Sequence, residues 1–593
     1  MNPKEANRMK KKWVLIPAAA VIAAFLLELI QIYTQPMGPE MMRAMHPRRM
    51  IIVAAVAAGV LFWMRRCNTW AGIRAAALGG IRGIRACGKK RAMLYAAAFP
   101  AGIGAAIFLF WIFCTVFAGI PMTSPRIVFA GFIGFFAACL GVFRKTLKTQ
   151  PEYLFLILML CFGFLYSYYV PHTGLNSWDE DYHYTQAVNT SYVDSLVLTH
   201  QDRVTIERNI PASYDLNGGV QALHDEQDER FRSGITEEKS LPDIAGIPEA
   251  FNGIGLFIGR ALGLRYYMIH FMGRFTGLLA YALAGFFAIR KLKSGKMIAA
   301  VSLMIPTEVF IASSFNYDCY LTGFTAVGLC WYMARRQDPQ GRLTLQDMVI
   351  MIGSIAFGCL AKPVYIPLLW ILLPLPRDQF ASRKVHRRFV LAIAGVSFLV
   401  LFTYWIPSLI HGFVNTFSDV RAGSEVSAAG QIQFILSDPL HFVRVVWDYL
   451  INAYLNPARA GETLTNLAYI GVMPNAYIYL GLLLTVAFTD KNEYDRALVH
   501  RPWDHIWPII VSLGMVVVVI TCLYLSYTPV GADTVAGAQF RYLIPMVLPF
   551  LLHIGSGRVE NKMNRTWYNG LVFGVIAFVG FSCIYNGYIC QYY

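Results

Sequence analysis

The sequence predicts an all-α, polytopic membrane protein, and three observations carry that prediction. The chain of 593 residues is 56% hydrophobic and only 15% charged, whereas soluble domains carry about 25% charged residues. Runs of roughly 20 apolar residues recur along it, each long enough to cross a hydrocarbon core. These runs are solid apolar blocks, not the alternating apolar and polar residues of an outer-membrane barrel. A soluble enzyme, a disordered chain and a fibrous repeat are excluded on the same grounds.

The elements follow in order. Met1 to Lys12 is basic and precedes an apolar run from Trp13 to Tyr33. That run is longer than a signal-peptide core and lacks a clear small-residue cleavage site, so it reads as an uncleaved first span with the N-terminus in the cytoplasm. Hydropathy places spans at 13–33, 50–64, 93–120, 127–143, 153–170, 266–289, 298–315, 319–334, 346–361, 363–375, 389–411, 466–488, 506–527, 541–554 and 567–588. The runs 50–64, 363–375 and 541–554 are short enough to be tilted or re-entrant, so the expected total is about 13–15 spans. Residues 1–150 read as an N-terminal region of four transmembrane helices and 151–593 as the core. There is no internal repeat.

The net charge of +16 would suggest nucleic acid in a soluble protein. Here the cations sit in short loops between apolar runs, the usual signature of membrane topology, so a nucleic-acid partner is not expected. Tight clusters fall where cytoplasmic loops belong: Arg144, Lys145 and Lys148; Arg290, Lys291, Lys293 and Lys296; Arg335 and Arg336; Arg383, Lys384, Arg387 and Arg388. The stretch 65–92 is basic without an acid and reads as a segment against anionic lipid. The 11 cysteines show no CxxC pair and lie mostly within apolar runs, as packing residues do. The largest segment between spans, 171–265, holds 15 of the 35 acids and is assigned to the outer face of the cell membrane. It ends in the amphipathic stretch IPEAFNGIGLFIGRALGL, expected along the interface. A second outer loop covers about 412–465 and a short one 528–540.

Five constellations on that face could carry chemistry. The first is Trp178-Asp179-Glu180-Asp181-Tyr182-His183, with three consecutive carboxylates beside aromatics and a histidine. Like-charge crowding favours a proton on one member of such a group, and a carboxylate so tuned serves as a general base; the plain alternative is a solvated acidic turn. The spacing is not the H-E-x-x-H pattern of zinc proteases. The second is Arg274, inside a span, where a cation is costly unless paired or facing a cavity. It could hold a phosphate or a carboxylate of the 178–183 group, or snorkel to the interface. The third is SSFNYD, ending at Asp318, which could equally be a helix N-cap. The fourth is Ala361-Lys362-Pro363, whose lysine offers a point charge for phosphate or simply snorkels at a proline break. The fifth is the 528–545 stretch TPVG…GAQFRYLIP, bringing Gln539, Arg541 and Tyr542 to the mouth of a span. Arginine can grip phosphate in bidentate fashion, and the alternative is an interfacial anchor. All five fall on one face, so acids able to act as base and cations able to hold phosphate would share one site. No GxxxxGK[ST] nucleotide loop is present.

These residues resemble the bacterial membrane proteins of the domain-of-unknown-function 2142 (DUF2142) family. The resemblance rests on Asp179-Glu180 followed by His183, on Arg274, on Ser314 to Asp318, on Ala361-Lys362-Pro363 and on TPVG…GAQFRYLIP, and it covers about 150–560. The family usually has glycine at 540 and proline at 181, where this chain has Phe540 and Asp181. That family is similar to the GT-C glycosyltransferases, which carry a catalytic carboxylate in a large outer loop and use polyprenyl-phosphate sugars. The resemblance therefore implies a GT-C-like helical bundle with 171–265 as catalytic loop, Asp179 as base and Glu180 as its partner. It implies substrate contacts by His183, Arg274, Asp318, Lys362, Gln539, Arg541 and Tyr542. The implied reaction transfers a sugar from a polyprenyl-phosphate donor to a cell-surface glycan or lipid acceptor, inverting, without an obligatory cofactor and with a divalent cation allowed. The alternatives are a transporter or flippase of lipid-linked glycan, and a polysaccharide polymerase or ligase. Transporters often show repeated halves broken at the midplane, which this sequence does not.

Overall fold

The computed structural model describes residues 3–34, 45, 47–66, 89–170, 176–192, 196–199, 219–233, 236–240, 244–338, 340–403, 425–491, 494, 502–555 and 559–592. In chain order the helices that matter below are α1 (Pro3–Thr34), α2 (Pro47–Arg66), α3 (Lys89–Ile112), α4 (Ser124–Val142), α5 (Glu152–Tyr169), α6 (Glu180–Tyr192), α7 (Ala250–Ala261), α8 (Tyr266–Lys291), α9 (Lys296–Leu303), α10 (Pro306–Ala312), α11 (Asp318–Arg336), α12 (Leu345–Ala361), α13 (Arg383–Phe402), α14 (Ala476–Thr489), α15 (Trp503–Ser526), α16 (Ile544–Ile554) and α17 (Arg565–Ile584). Among the described residues eight helices are long and apolar enough to cross a membrane, and five shorter apolar helices of 10–17 residues accompany them. The chain is thus an all-α polytopic membrane protein. The described residues also hold a short antiparallel pairing of Leu196–Thr199 with Thr236–Ser240 inside the 171–265 segment and an isolated antiparallel bridge between Asn466 and Val472.

Three expected spans take other forms, each for a local reason. The run 298–315 is broken into α9 and α10, because Pro306 has no amide hydrogen to continue a helix and instead occupies the first turn of α10. The run 363–375 is a 3-10 helix, Pro363–Leu372, with prolines at 363 and 367. Its neighbour α12 starts with a capping box in which Thr344 and Asp347 satisfy each other's backbone N–H groups. The run 389–411 is the helix α13, beginning at Arg383; residues 404–424 lie outside those described, as do 67–88 of the basic stretch and much of 193–218.

The buried centre has two parts. One is built from α5, α8, α9, α10, α14, α16 and α17, with Leu158, Tyr281, Ala300, Val579 and Phe573 fully buried. The other joins α11, α12, the 363–372 helix and α15 through Tyr332, Ile355, Leu369 and Ile520. Membrane helices gain little from burying leucine against leucine instead of lipid, so close approach over small residues carries more of the packing. A Cβ on Gly255 of α7 would lie 2.0 Å from the Met272 carbonyl of α8, and one on Gly134 of α4 would lie 2.4 Å from the Gly102 carbonyl of α3. The stretch expected at the interface is accordingly α7 packed closely on α8, with Ile254 and Leu262 still exposed. In the N-terminal region α1 and α2 are joined by the Glu28–Arg49 ion pair and tied to α6 by Gln31, which donates to the Ser191 carbonyl. The pair α3–α4 meets α17 through the edge-to-face rings of Phe129 and Phe581.

This arrangement sorts the polar residues to the helix ends. One end gathers the C-termini of α5 and α12 and the N-termini of α6, α11 and α16, where the candidate residues lie. At the other end sit the ion pairs Lys296–Glu152, Arg335–Asp347, Arg565–Asp490 and Arg336–Asp504.

Candidate functional site

Asp179 and Glu180 adjoin in sequence but occupy different environments. Glu180 opens α6 and is fully buried. Its Oε1 accepts from Arg274 Nη2 at 2.8 Å and Nε at 3.0 Å and from the Phe315 amide at 3.2 Å, and its Oε2 accepts from the Ser177 amide at 3.1 Å. Arg274 also donates from Nη1 to the Val170 carbonyl at 2.9 Å. Of the roles open to Arg274 on sequence, the geometry selects the carboxylate: it pairs with Glu180 in the interior, and neither side chain reaches solvent. The pair staples α8 to the end of α5, the start of α6 and the turn before α11.

Asp179 faces the other way. Its φ of 54° is left-handed, a region where a non-glycine residue is strained and which recurs at functional sites. With its neighbour fixed, this backbone carries the Asp179 side chain out to the Arg541 guanidinium, Oδ2 to Nη2 3.7 Å, while leaving it 33% exposed. Asp181 lies apart from both, partly exposed on α6. One left-handed residue followed by a helix start thus turns Asp179 and Glu180 to different cations, Arg541 and Arg274.

Asp318 begins α11, yet its side chain does not cap the helix. It bridges two cations instead: Oδ1 lies 2.7 Å from Lys362 Nζ and Oδ2 lies 3.4 Å from Arg541 Nε. Lys362 ends α12, just before Pro363, and its ammonium stands 4.2 Å from the centre of the Tyr542 ring. Arg541 lies in the 3-10 helix Phe540–Leu543 that leads into α16, with its guanidinium over the Trp178 ring, 4.7 Å from the centroid, an arrangement favourable for a cation. Trp178 is held in turn by Asn316, whose amide donates to its carbonyl at 3.1 Å. Arg541 is 3% exposed, and its Nη1 has no hydrogen-bond partner among the described residues. The structure thus assembles Asp179, Asp318, Lys362, Arg541 and Tyr542 from four distant parts of the chain, with Glu180 and Arg274 forming the mount behind them.

His183 lies one turn along α6 and is buried, its Nδ1 3.0 Å from Glu249 Oε1 and its ring edge-on to Tyr317 at 4.3 Å. Burial pushes the Glu249 carboxyl up from its ordinary value, and the histidine only partly offsets this. Gln539 presents its backbone carbonyl to Tyr454 Oη at 3.2 Å, while its side-chain Oε1 has no partner among the described residues. Sequence reasoning missed Glu249, and it named Trp178 and Tyr317 within their motifs without giving either a contact to Arg541 or His183. Glu249 left one signal, a lone acid in an otherwise apolar stretch. Among the described residues no group of three or more His, Cys, Asp or Glu is placed to hold a metal ion.

Fold and site together define a polytopic helical membrane protein with a charged cluster at one end of its bundle. The chain belongs to the DUF2142 family, described as a predicted membrane protein, whose pattern it matches over residues 175–550. No curated protein and no solved structure matches it.

Proposed function

We propose that this cluster is the transfer site of a membrane glycosyltransferase acting on the outer face of the cell membrane. The observation that carries the reading is the convergence of one accessible carboxylate, Asp179, with two cations, Lys362 and Arg541, that Asp318 holds side by side. The donor is a sugar on polyprenyl phosphate and the acceptor a hydroxyl of a cell-surface glycan or lipid. Asp179 takes the proton from the acceptor hydroxyl as its oxygen attacks the anomeric carbon. The bond from that carbon to the phosphate oxygen breaks, and the lipid phosphate leaves as an anion with no proton required. Arg541, through its unpartnered Nη1, and Lys362 stabilise the charge that develops there. A single displacement of this kind inverts the anomeric centre. Positioned base catalysis contributes about 10²–10⁴-fold, and fixed cations in a site of low dielectric add a comparable factor.

The test is transfer by purified, reconstituted protein supplied with polyprenyl-phosphate sugars and glycan acceptors. The Asp179→Asn protein should lose activity by at least about 10²-fold while melting as the wild type does. Equal transfer by Asp179→Asn removes Asp179 from its role. Movement of intact lipid-linked glycan across vesicles without sugar transfer overturns the enzyme reading as a whole.

A further inference from the structure

At the end of the bundle opposite the cluster, a cavity of about 160 Å³ opens between four chain segments: 148–151, 293–297, Asp490 and 565–569. Lys148, Lys293, Lys296 and Arg565 line it against a single carboxylate, Asp490. That carboxylate is already occupied. Its Oδ2 accepts from the Met297 and Ile298 amides at the start of α9, and its Oδ1 accepts from Arg565 at 2.7 Å. Lys296 is engaged by Glu152 at 3.0 Å. Lys293 reaches Asp338 at 3.3 Å across an exposed surface, 40% open on its own side chain, where such a pair contributes little. Lys148 is exposed, with no carboxylate among the ion pairs of the described residues. The lining thus keeps a surplus of positive charge in a concave space.

Topology alone does not account for this. An excess of cations in loops orients a membrane protein without requiring them to converge. Here cations from the connection between α4 and α5, the turn between α8 and α9 with the first residue of α9, and the start of α17 line one hollow. A water needs about 10–15 Å³ of such volume, so the cavity has room for a tetrahedral oxyanion with part of its hydration.

We propose that this cavity binds a phosphate group, carried either on an anionic phospholipid headgroup or on a free phosphate compound. Basic pockets between membrane helices bind phosphorylated headgroups by the same chemistry. The site is separate from the charged cluster at the other end of the bundle, so it stands whether or not that cluster transfers sugars.

The experiment uses the full-length protein reconstituted in phosphatidylcholine with and without phosphatidylglycerol. The phosphatidylglycerol retained after detergent washing is quantified, and so is its displacement by inorganic phosphate. The Lys148→Gln/Lys293→Gln double variant removes two exposed cations and leaves the buried pairs intact. At about fivefold per lysine, it should bind about thirtyfold more weakly. A control variant, Lys384→Gln/Arg388→Gln on α13, removes the same charge outside the cavity and should bind as the wild type does. Selective loss in the cavity variant with no response to inorganic phosphate identifies a headgroup. Selective loss with displacement by inorganic phosphate identifies a free phosphate compound. Equal binding by the cavity variant and the wild type overturns the proposal, and so does equal loss in both double variants.

Discussion

Replacing Arg274 by methionine tests the interior mount directly. Methionine keeps an unbranched apolar chain but removes donors that include two to Glu180 Oε1 and one to the Val170 carbonyl. Glu180 would remain buried with only the Ser177 and Phe315 amides to stabilise its charge. Removing one partner of a buried ion pair costs about 3–5 kcal/mol, mostly because the other charge is left uncompensated. Arg274→Met should lose about that much. Adding Glu180→Gln removes the stranded charge while keeping a carbonyl oxygen for the two amides, so the double variant should recover about 2 kcal/mol of the loss. Equilibrium unfolding in detergent micelles across the four proteins of the cycle gives the coupling. An Arg274→Met protein within about 1 kcal/mol of wild type would refute the reasoning, and so would a double variant no more stable than Arg274→Met alone.

Other perturbations separate stability from function. Asp179→Gly relieves the left-handed strain while giving up the long contact to Arg541, so stability should stay within about 1 kcal/mol of wild type; on the proposed reading sugar transfer should vanish, and a marked drop in melting temperature would show that Asp179 supports the fold. Gly255→Ala places a methyl group 2.0 Å from the Met272 carbonyl, so α7 should separate from α8, with faster proteolysis of the 171–265 segment; unchanged cleavage would mean that the contact is loose. Burial pushes the Asp490 carboxyl, just beyond the end of α14, up to about 6. A raised carboxyl stabilises the fold fully below its unfolded value near 4, and that contribution is lost as pH rises through 6. The difference of about two pH units corresponds to about 3 kcal/mol. Melting temperature should therefore rise on acidification from pH 7 to pH 5, and Asp490→Asn should flatten that rise; an identical slope in the variant would assign the effect to another group.

The class of fold was legible because spans are written in composition: a run of apolar residues of the right length states its own purpose. So were most members of the charged cluster, since Asp318, Lys362 and Arg541 are polar residues at the edges of apolar runs, where each needs a partner. Their pairing was not legible. Asp318 reads as a helix cap, and only the positions of α12 and α16 reveal that Lys362 and Arg541 lie on either side of it. The acids at 179–181 read as one crowded group, and sequence spacing does not encode the left-handed backbone at Asp179 that accompanies its pairing with Arg541 while Glu180 pairs with Arg274. The run 298–315 reads as one span because hydropathy does not register the missing amide hydrogen of Pro306. Glu249 was hidden by its apolar neighbours, which are what bury it.

Asp179 and Glu180 share a peptide bond, so any settling of one is handed to the other over a single Cα step of about 3.8 Å. The accessible carboxylate is therefore aimed from below, by an arginine that no solute can touch. On the proposed reading, a mutational scan scored by sugar transfer would make Arg274 look like part of the reaction, although it is the bracket on which Asp179 is hung. Lesions there and at Asp179 would be told apart by which of them also loosens the folded chain.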